Sequence, residues 1–181
     1  MTGTEETALD PAVFDAVAPR VGRQLGEGTL RSVDGRGLRI GIACALFNGG
    51  ITARLLEGAL GGLADARVDR ADTTVAWVPG AFELPLAAQR FATAGGVDAV
   101  ACLGAVIRGE TSHYDFVAGE CAAGIQQVQL ATGVPAVFGV LTTDTLEQAE
   151  ARSQPDESNK GREAALTGVE MVRLLRSGPL S

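Results

Sequence analysis

Four apolar runs, each ending in a turn and followed by a stretch with helical spacing, set the narrowest limit on how this chain can fold. The first is Leu38 to Leu46, which stops at Phe47-Asn48-Gly49-Gly50 before a helix from about Ile51 that carries Leu55, Leu56 and Leu60 on one face. Thr74 to Val78 is the second, ending at Pro79-Gly80, with a helix expected to begin near Phe82 and to hold Glu83 in its first turn. Asp98 to Ile107 is the third and leads into a helix of about Ser112 to Thr132. Pro135 to Leu141 is the fourth, followed by Thr142-Thr143-Asp144 and a short helix from Leu146 to about Arg152. A break at Gln154-Pro155-Asp156 precedes a last helix, roughly Asn159 to Arg176. Such alternation predicts βαβ units, and therefore an α/β fold with a four-stranded parallel sheet covered by helices on both faces. Right-handed crossovers then bring all the strand C-terminal ends to one edge, where open α/β sheets bind their ligands.

With 181 residues the chain has length for one domain with a buried core. Hydrophobic residues make up 46% and aromatics only 4%, which suits small-residue packing of helices on a sheet better than a β-sandwich. The formal charge of −7 argues against a nucleic-acid surface, which needs clustered positive charge. No run approaches the roughly 18 apolar residues of a membrane span. Met1 to Asp10 is acidic and polar, unlike a secretory signal. Prolines 11 and 19 and the glycines at 22, 26, 28, 35 and 37 predict a flexible extension over 1–37, with a turn or two at Ala12 to Val17 and a strand at Thr29 to Val33 laid against a neighbour. The domain proper is expected over 38–177, with 178–181 as a tail. Cys44, Cys102 and Cys121 are odd in number and widely spaced, and Cys44 and Cys102 lie in apolar strand-like runs, which predicts buried, reduced thiols in a cytoplasmic protein rather than a metal site.

The chemistry concentrates where the third run meets its helix, in Cys102-Leu103-Gly104-Ala105-Val106-Ile107-Arg108-Gly109-Glu110-Thr111-Ser112-His113-Tyr114-Asp115. A strand that passes through glycine and hydroxyl residues into a helix leaves free backbone N–H groups at the helix start, where an anion binds. His113 is the only histidine and lies within about one turn of that position, and histidine moves protons readily near neutral pH. Thr111 or Ser112 equally fits an ordinary helix cap, because capping and anion binding share a geometry. Glu110 and Asp115 read as surface charges, and Arg108 is either a surface charge or part of the site.

Other strand ends carry weaker signals. Phe47-Asn48 is either a turn or a ligand-facing loop. In Val78-Pro79-Gly80-Ala81-Phe82-Glu83-Leu84-Pro85, the Pro-Gly pair sets a sharp turn and Pro85 falls where its missing N–H costs little. Glu83 there either accepts from a heterocycle's N–H groups or complements the helix dipole. Arg152 and Lys160 flank the Pro/Asp/Ser-rich break and are either surface charges or partners for a phosphate. No Walker loop, dinucleotide fingerprint or serine-nucleophile elbow is present.

Taken together, Phe47-Asn48, Trp77 to Pro85, Gly104 to Asp115, Val134 to Thr143 and Asn159-Lys160-Gly161 resemble the lumazine synthase family of riboflavin biosynthesis, over about Leu38 to Arg176. Long motifs in the right order make the resemblance specific. It implies a three-layer α/β/α fold of flavodoxin-like topology and the condensation of 5-amino-6-(D-ribitylamino)uracil with 3,4-dihydroxy-2-butanone 4-phosphate, without metal or redox cofactor. By position, Phe47 would stack on the pyrimidine. Ala81, Phe82 and Glu83 would hold its polar groups and ribityl chain, and Ala105, Val106 and Ile107 would line the pocket. Glu110 (through its backbone), Thr111 and Arg152 would hold the phosphate, with Lys160 nearby, and His113 would transfer protons. Phe138 would reach in from a neighbouring subunit, so the resemblance implies a homo-oligomer with sites at its interfaces. Ser153 to Ser158 lacks the Gly-Thr-Lys-Ala-Gly type of turn of members that build sixty-subunit shells, which favours a free pentamer. Rival readings are a paralogue acting on another amine–ketone pair and a flavin- or lumazine-binding relative without turnover. Phe47, His113 and Arg152 all stand in place against both.

Overall fold

The computed structural model describes residues 33–177. In chain order its elements are β1 (Ile40–Ala45), α1 (Gly49–Asp65), β2 (Thr73–Val78), α2 (Leu84–Thr93), β3 (Ala99–Ile107), α3 (His113–Thr132), β4 (Ala136–Thr143), α4 (Leu146–Ala151) and α5 (Lys160–Arg176). The sheet has four strands in the order β2-β1-β3-β4, and every neighbouring pair is parallel. This is the expected α/β architecture with flavodoxin-like order.

β1 is buried at every position and β3 at all but its last, because helices cover both faces of the two central strands. That two-sided burial explains why their sequences are continuous apolar runs rather than alternating ones. On one face Leu38, Ile42 and Leu103 pack with Leu55 and Leu63 of α1 and Val169 of α5. On the other, Ala43, Val100 and Val140 meet Leu84 and Ala88 of α2 and Cys121 and Ile125 of α3. β2 is an edge strand, only half buried, which accommodates its threonines.

Several boundaries differ from expectation for identifiable reasons. Leu38 is fully buried but precedes the sheet: its N–H bonds to the Gly35 carbonyl at 3.0 Å in a turn. Ala81–Glu83 forms a single 3₁₀ turn, and the α-helix starts only at Leu84, with Pro85 in its first turn. β4 continues to Thr143, paired with β3 through Ile107. Residues 33–37, assigned above to the extension, are anchored to the domain. Gly35 N–H donates to Ala66 O at 2.6 Å, and the Arg173 guanidinium bonds the carbonyls of Asp34 and Arg36 at 2.6 and 2.8 Å. The expected turn at Ala12 to Val17, most of the expected strand at Thr29 to Val33, and the tail at 178–181 lie outside the described residues.

The helices α1 and α5 meet on an unusually close contact centred on Asn159. This residue is fully buried, and its side chain uses all of its hydrogen-bonding capacity. Oδ1 accepts from the N–H groups of Gly161 and Arg162 at 2.9 and 3.2 Å, capping α5, while Nδ2 donates to the carbonyls of Arg54 and Gln154 at 3.1 and 2.9 Å. Gly58 and Gly161 leave the space: a Cβ on Gly58 would strike the Asn159 amide, and one on Gly161 would strike the Leu55 carbonyl. Asn159→Ala removes the cap and strands buried backbone groups, so it is expected to cost about 2–4 kcal/mol, read as a lowered urea midpoint. A loss below about 0.5 kcal/mol, the level of ordinary surface changes, would show that the contact does not depend on this amide.

Cys44, Cys102 and Cys121 are free and buried. Burial pushes the Cys44 and Cys121 thiols up to about 12 and raises Cys102 as well. All three should resist a thiol reagent such as Ellman's at pH 8 in the native protein and react once denaturant is added. Fast labelling of any of them without denaturant would contradict this packing.

Candidate active site

The site is assembled from what the chain does as it leaves β1, β2 and β3 along one sheet edge. Past β1, Leu46 N–H donates to Val78 O at 2.8 Å and Phe47 N–H to Pro79 O at 3.1 Å, which draws the first loop toward the end of β2. Asn48 then takes the left-handed conformation, φ 56°, which few residues other than glycine and asparagine accept readily. Its side chain does not cap α1. Instead Nδ2 donates to Ala105 O at 2.9 Å, joining the first loop to β3. This bond spans the crevice between β1 and β3, the switch point of a sheet with this strand order.

A cleft of about 670 Å³ opens there. Ala105, Val106 and Ile107 form its floor, with Phe47 on one side and Ala81, Phe82 and Glu83 on another. Phe47 is 71% exposed and Phe82 57%, so two aromatic faces stand in solvent at the mouth. Apolar walls with a few convergent polar groups suit a planar heterocycle.

The third side is the loop from β3 to α3. Ser112 takes the N-cap position of α3 but makes no side-chain cap bond. Thr111 Oγ1 accepts from the His113 N–H at 3.4 Å instead. Among the described residues, the N–H groups of Gly109, Glu110, Thr111 and Ser112 donate to no protein acceptor. A run of free N–H groups at the start of a helix of this length attracts an anion. Gly109, Thr111 and His113 line the cleft, and Glu110 stands exposed between them. His113 is exposed and opens the helix, so its ring adjoins both the apolar floor and the anion loop.

Arg108 frames this loop. Its Nε donates to Asp144 Oδ1 at 2.9 Å and its Nη1 to Asp115 Oδ1 at 3.1 Å, and the guanidinium carbon lies 4.0 Å from the centre of the Tyr114 ring. The bond to Asp144, and after it the Asp115 carboxylate, raises its already high pKa. Arg108 and Asp115 lie at the surface, Asp115 as expected, and they pair with each other across the base of the loop.

Three expected residues lie elsewhere in the chain. Phe138, Arg152 and Lys160 line a separate cleft of about 410 Å³ between β4 and α5. There the Lys160 ammonium pairs with Glu163, and Arg152 Nη1 donates to the Gln148 carbonyl at 3.0 Å. Two lining residues were not singled out from the sequence, Phe116 and Val117. Helical spacing from His113 carries the signal, since positions three and four further on share its face. Among the described residues, no group of three or more His, Cys, Asp or Glu is arranged to hold a metal ion.

Comparison with known proteins identifies the family. A family model described as 6,7-dimethyl-8-ribityllumazine synthase matches residues 37–176. Two relatives bearing that name, from two strains of Thermus thermophilus, are each 54% identical over 142 residues, covering 78% of this chain and 90% of the relative. With most of its length matched by the family model and by these relatives, the chain belongs to the 6,7-dimethyl-8-ribityllumazine synthase family.

Proposed function

We propose that the protein condenses 5-amino-6-(D-ribitylamino)uracil with 3,4-dihydroxy-2-butanone 4-phosphate to 6,7-dimethyl-8-ribityllumazine, releasing phosphate and two waters, in the penultimate step of riboflavin biosynthesis. The observation that carries the reading is the placement of His113 between an apolar, aromatic-rimmed cleft and a loop of free N–H groups. Phe47 stacks on the pyrimidine, Ala81, Phe82 and Glu83 bind its polar edge and ribityl chain, and Ala105, Val106 and Ile107 form the floor. The phosphate sits on the N–H groups of Glu110 and Thr111.

In this site the 5-amino nitrogen attacks the ketone, and loss of water gives an imine. Removal of a proton beside the imine lets the phosphate leave. That elimination leaves an enol, which tautomerises to a new carbonyl at the neighbouring carbon, and the ribityl-bearing nitrogen closes the ring on it with loss of the second water. Each addition and each departure needs a proton moved, and His113 serves as the shuttle. Holding two substrates together in the cleft supplies much of the remaining acceleration.

Arg152 and Lys160 complete the phosphate site from a neighbouring copy of the chain, together with Phe138. Support comes from their sharing one cleft, from exposed aromatics at the mouth of the other, and from β4 being an edge strand. Such a head-to-tail contact closes into a ring, which we assign as a pentamer, with a sixty-subunit shell as the alternative. Three buried free thiols suit a cytoplasmic location, and among the described residues no helix is long and apolar enough to cross a membrane.

The direct test follows lumazine fluorescence and phosphate release together on mixing the two substrates with the protein. Both should rise above the spontaneous background. Pyrimidine binding without product would favour a non-catalytic relative. His113→Ala should lower kcat by about a hundredfold while leaving pyrimidine affinity intact. Arg152→Ala should raise the KM for the butanone phosphate by about tenfold or more, with kcat changed less. An unaltered KM would remove Arg152 from the phosphate site.

The shared site has its own test. After dissociation and reassembly of a 1:1 mixture of His113→Ala and Arg152→Ala subunits, roughly a quarter of the interfaces should pair an intact His113 with an intact Arg152, and activity should return in proportion. No recovery from mixed rings would place both residues in the same chain's site.

A further inference from the structure

Arg108 sits at the start of the loop that ends at His113, and its side chain grips the other end of that loop. Its two carboxylate partners and its aromatic partner come from two places: Asp115 and Tyr114 in the first turn of α3, and Asp144 between β4 and α4. Its own N–H donates to Thr143 O at 2.8 Å, so backbone and side chain hold the same two strand ends together. The chain of contacts continues beyond Asp144. Asp144 N–H donates to Gln148 Oε1 at 2.9 Å, Thr145 caps α4, and the Gln148 carbonyl accepts from Arg152 at 3.0 Å.

These pairs are poor candidates for a purely stabilising role. The side chains of Arg108, Asp115 and Asp144 are 44%, 60% and 68% exposed, and exposed ion pairs add little to stability. Their geometry is more informative. The guanidinium serves one carboxylate through Nε and another through Nη1 while its face covers Tyr114, a combination that a lysine ammonium cannot reproduce. Tyr114 and Asp115 follow His113 directly, so fixing them fixes the first turn on which His113 rides.

We propose that Arg108 is a positioning residue for the condensation: it closes the base of the Gly109 to Ser112 loop, holds His113 and the free N–H groups in register, and through Asp144 sets α4 and hence Arg152. This rests on the site reading above. If Arg152 serves the adjacent subunit's cleft, Arg108 links the proton shuttle of one site to the phosphate cation of the next. A displacement of about 1 Å in such groups is enough to cost a large factor in rate.

The test uses the intact assembled protein with both substrates. Arg108→Ala should lower kcat by about tenfold or more and raise the KM for the butanone phosphate, while pyrimidine affinity stays within about twofold of wild type. Arg108→Lys should recover only part of the loss, because it keeps the charge without the fork. Asp144→Asn preserves shape, guards against a folding artefact, and should reproduce the KM rise. In the cycle of Arg108→Ala with Asp144→Asn, the double variant should be little worse than the worse single variant. Wild-type kcat and KM in Arg108→Ala, full rescue by Arg108→Lys, or additive losses in the cycle would each overturn the proposal. His113→Ala in the same assay separates the two levels: lost turnover there with normal turnover in Arg108→Ala would defeat this inference alone, whereas normal turnover in His113→Ala would defeat the site reading beneath it.

Discussion

The parallel pairing of β1 with both of its neighbours is the constraint on which the rest of the molecule depends. Ala45 lies opposite Val78, and Cys44 opposite Leu103, so the chain leaves three strands side by side on one edge. An antiparallel partner would have sent one of those loops to the far end of the sheet. The alignment is then tightened beyond the strands themselves, by Leu46 and Phe47 on the end of β2 and by Asn48 on the end of β3. A cleft built in this way takes its rigidity from the sheet, although the residues facing it belong to turns, strand termini and the start of α3. The same two-sided burial leaves no room for polar side chains in the central strands. Function is therefore confined to the edge where they stop.

That division explains what can be read from the residues and what cannot. Burial on both faces removes polar residues from β1 and β3, so the strands appear as apolar runs, and turn chemistry at Asn48, Pro79 and Gly80 marks their ends. The anion loop and its histidine are adjacent in sequence, so their pairing is legible too. Boundaries shift where a side chain is buried without its backbone joining the sheet, as at Leu38, or where a turn tightens before a helix, as at Phe82 and Glu83.

The contacts of Arg108 and Asn159 belong to another class. Arg108 reaches Asp144, and Asn159 reaches the Arg54 carbonyl on α1, so neither role exists until separate elements have packed. Local pattern identifies a charge or a helix start at these positions. It carries no information about where a guanidinium fork points. For the same reason type and spacing leave Arg152 and Lys160 as surface charges or phosphate partners, and a single chain places them in a different cleft from His113.

The separation of the two clefts has a physical consequence. Glu83 and His113 line one cleft, and Asp115, Asp144 and Arg108 cluster at the base of its loop, while the further cations line the other with Glu163 as their nearby carboxylate. An arginine placed permanently in the first cleft would have those acidic groups as competitors for its charge. In the assembly proposed above, an arginine brought in by a neighbour would meet the anion loop only at the interface, where burial of the exposed aromatic rims would also lower the local dielectric. Charge–charge attraction strengthens as water is excluded, so a cation delivered at the interface holds a phosphate more strongly than the same cation on an open monomer surface. In that proposed arrangement assembly would contribute to the chemistry as well as to stability, because it would create the phosphate site and dry it in one step.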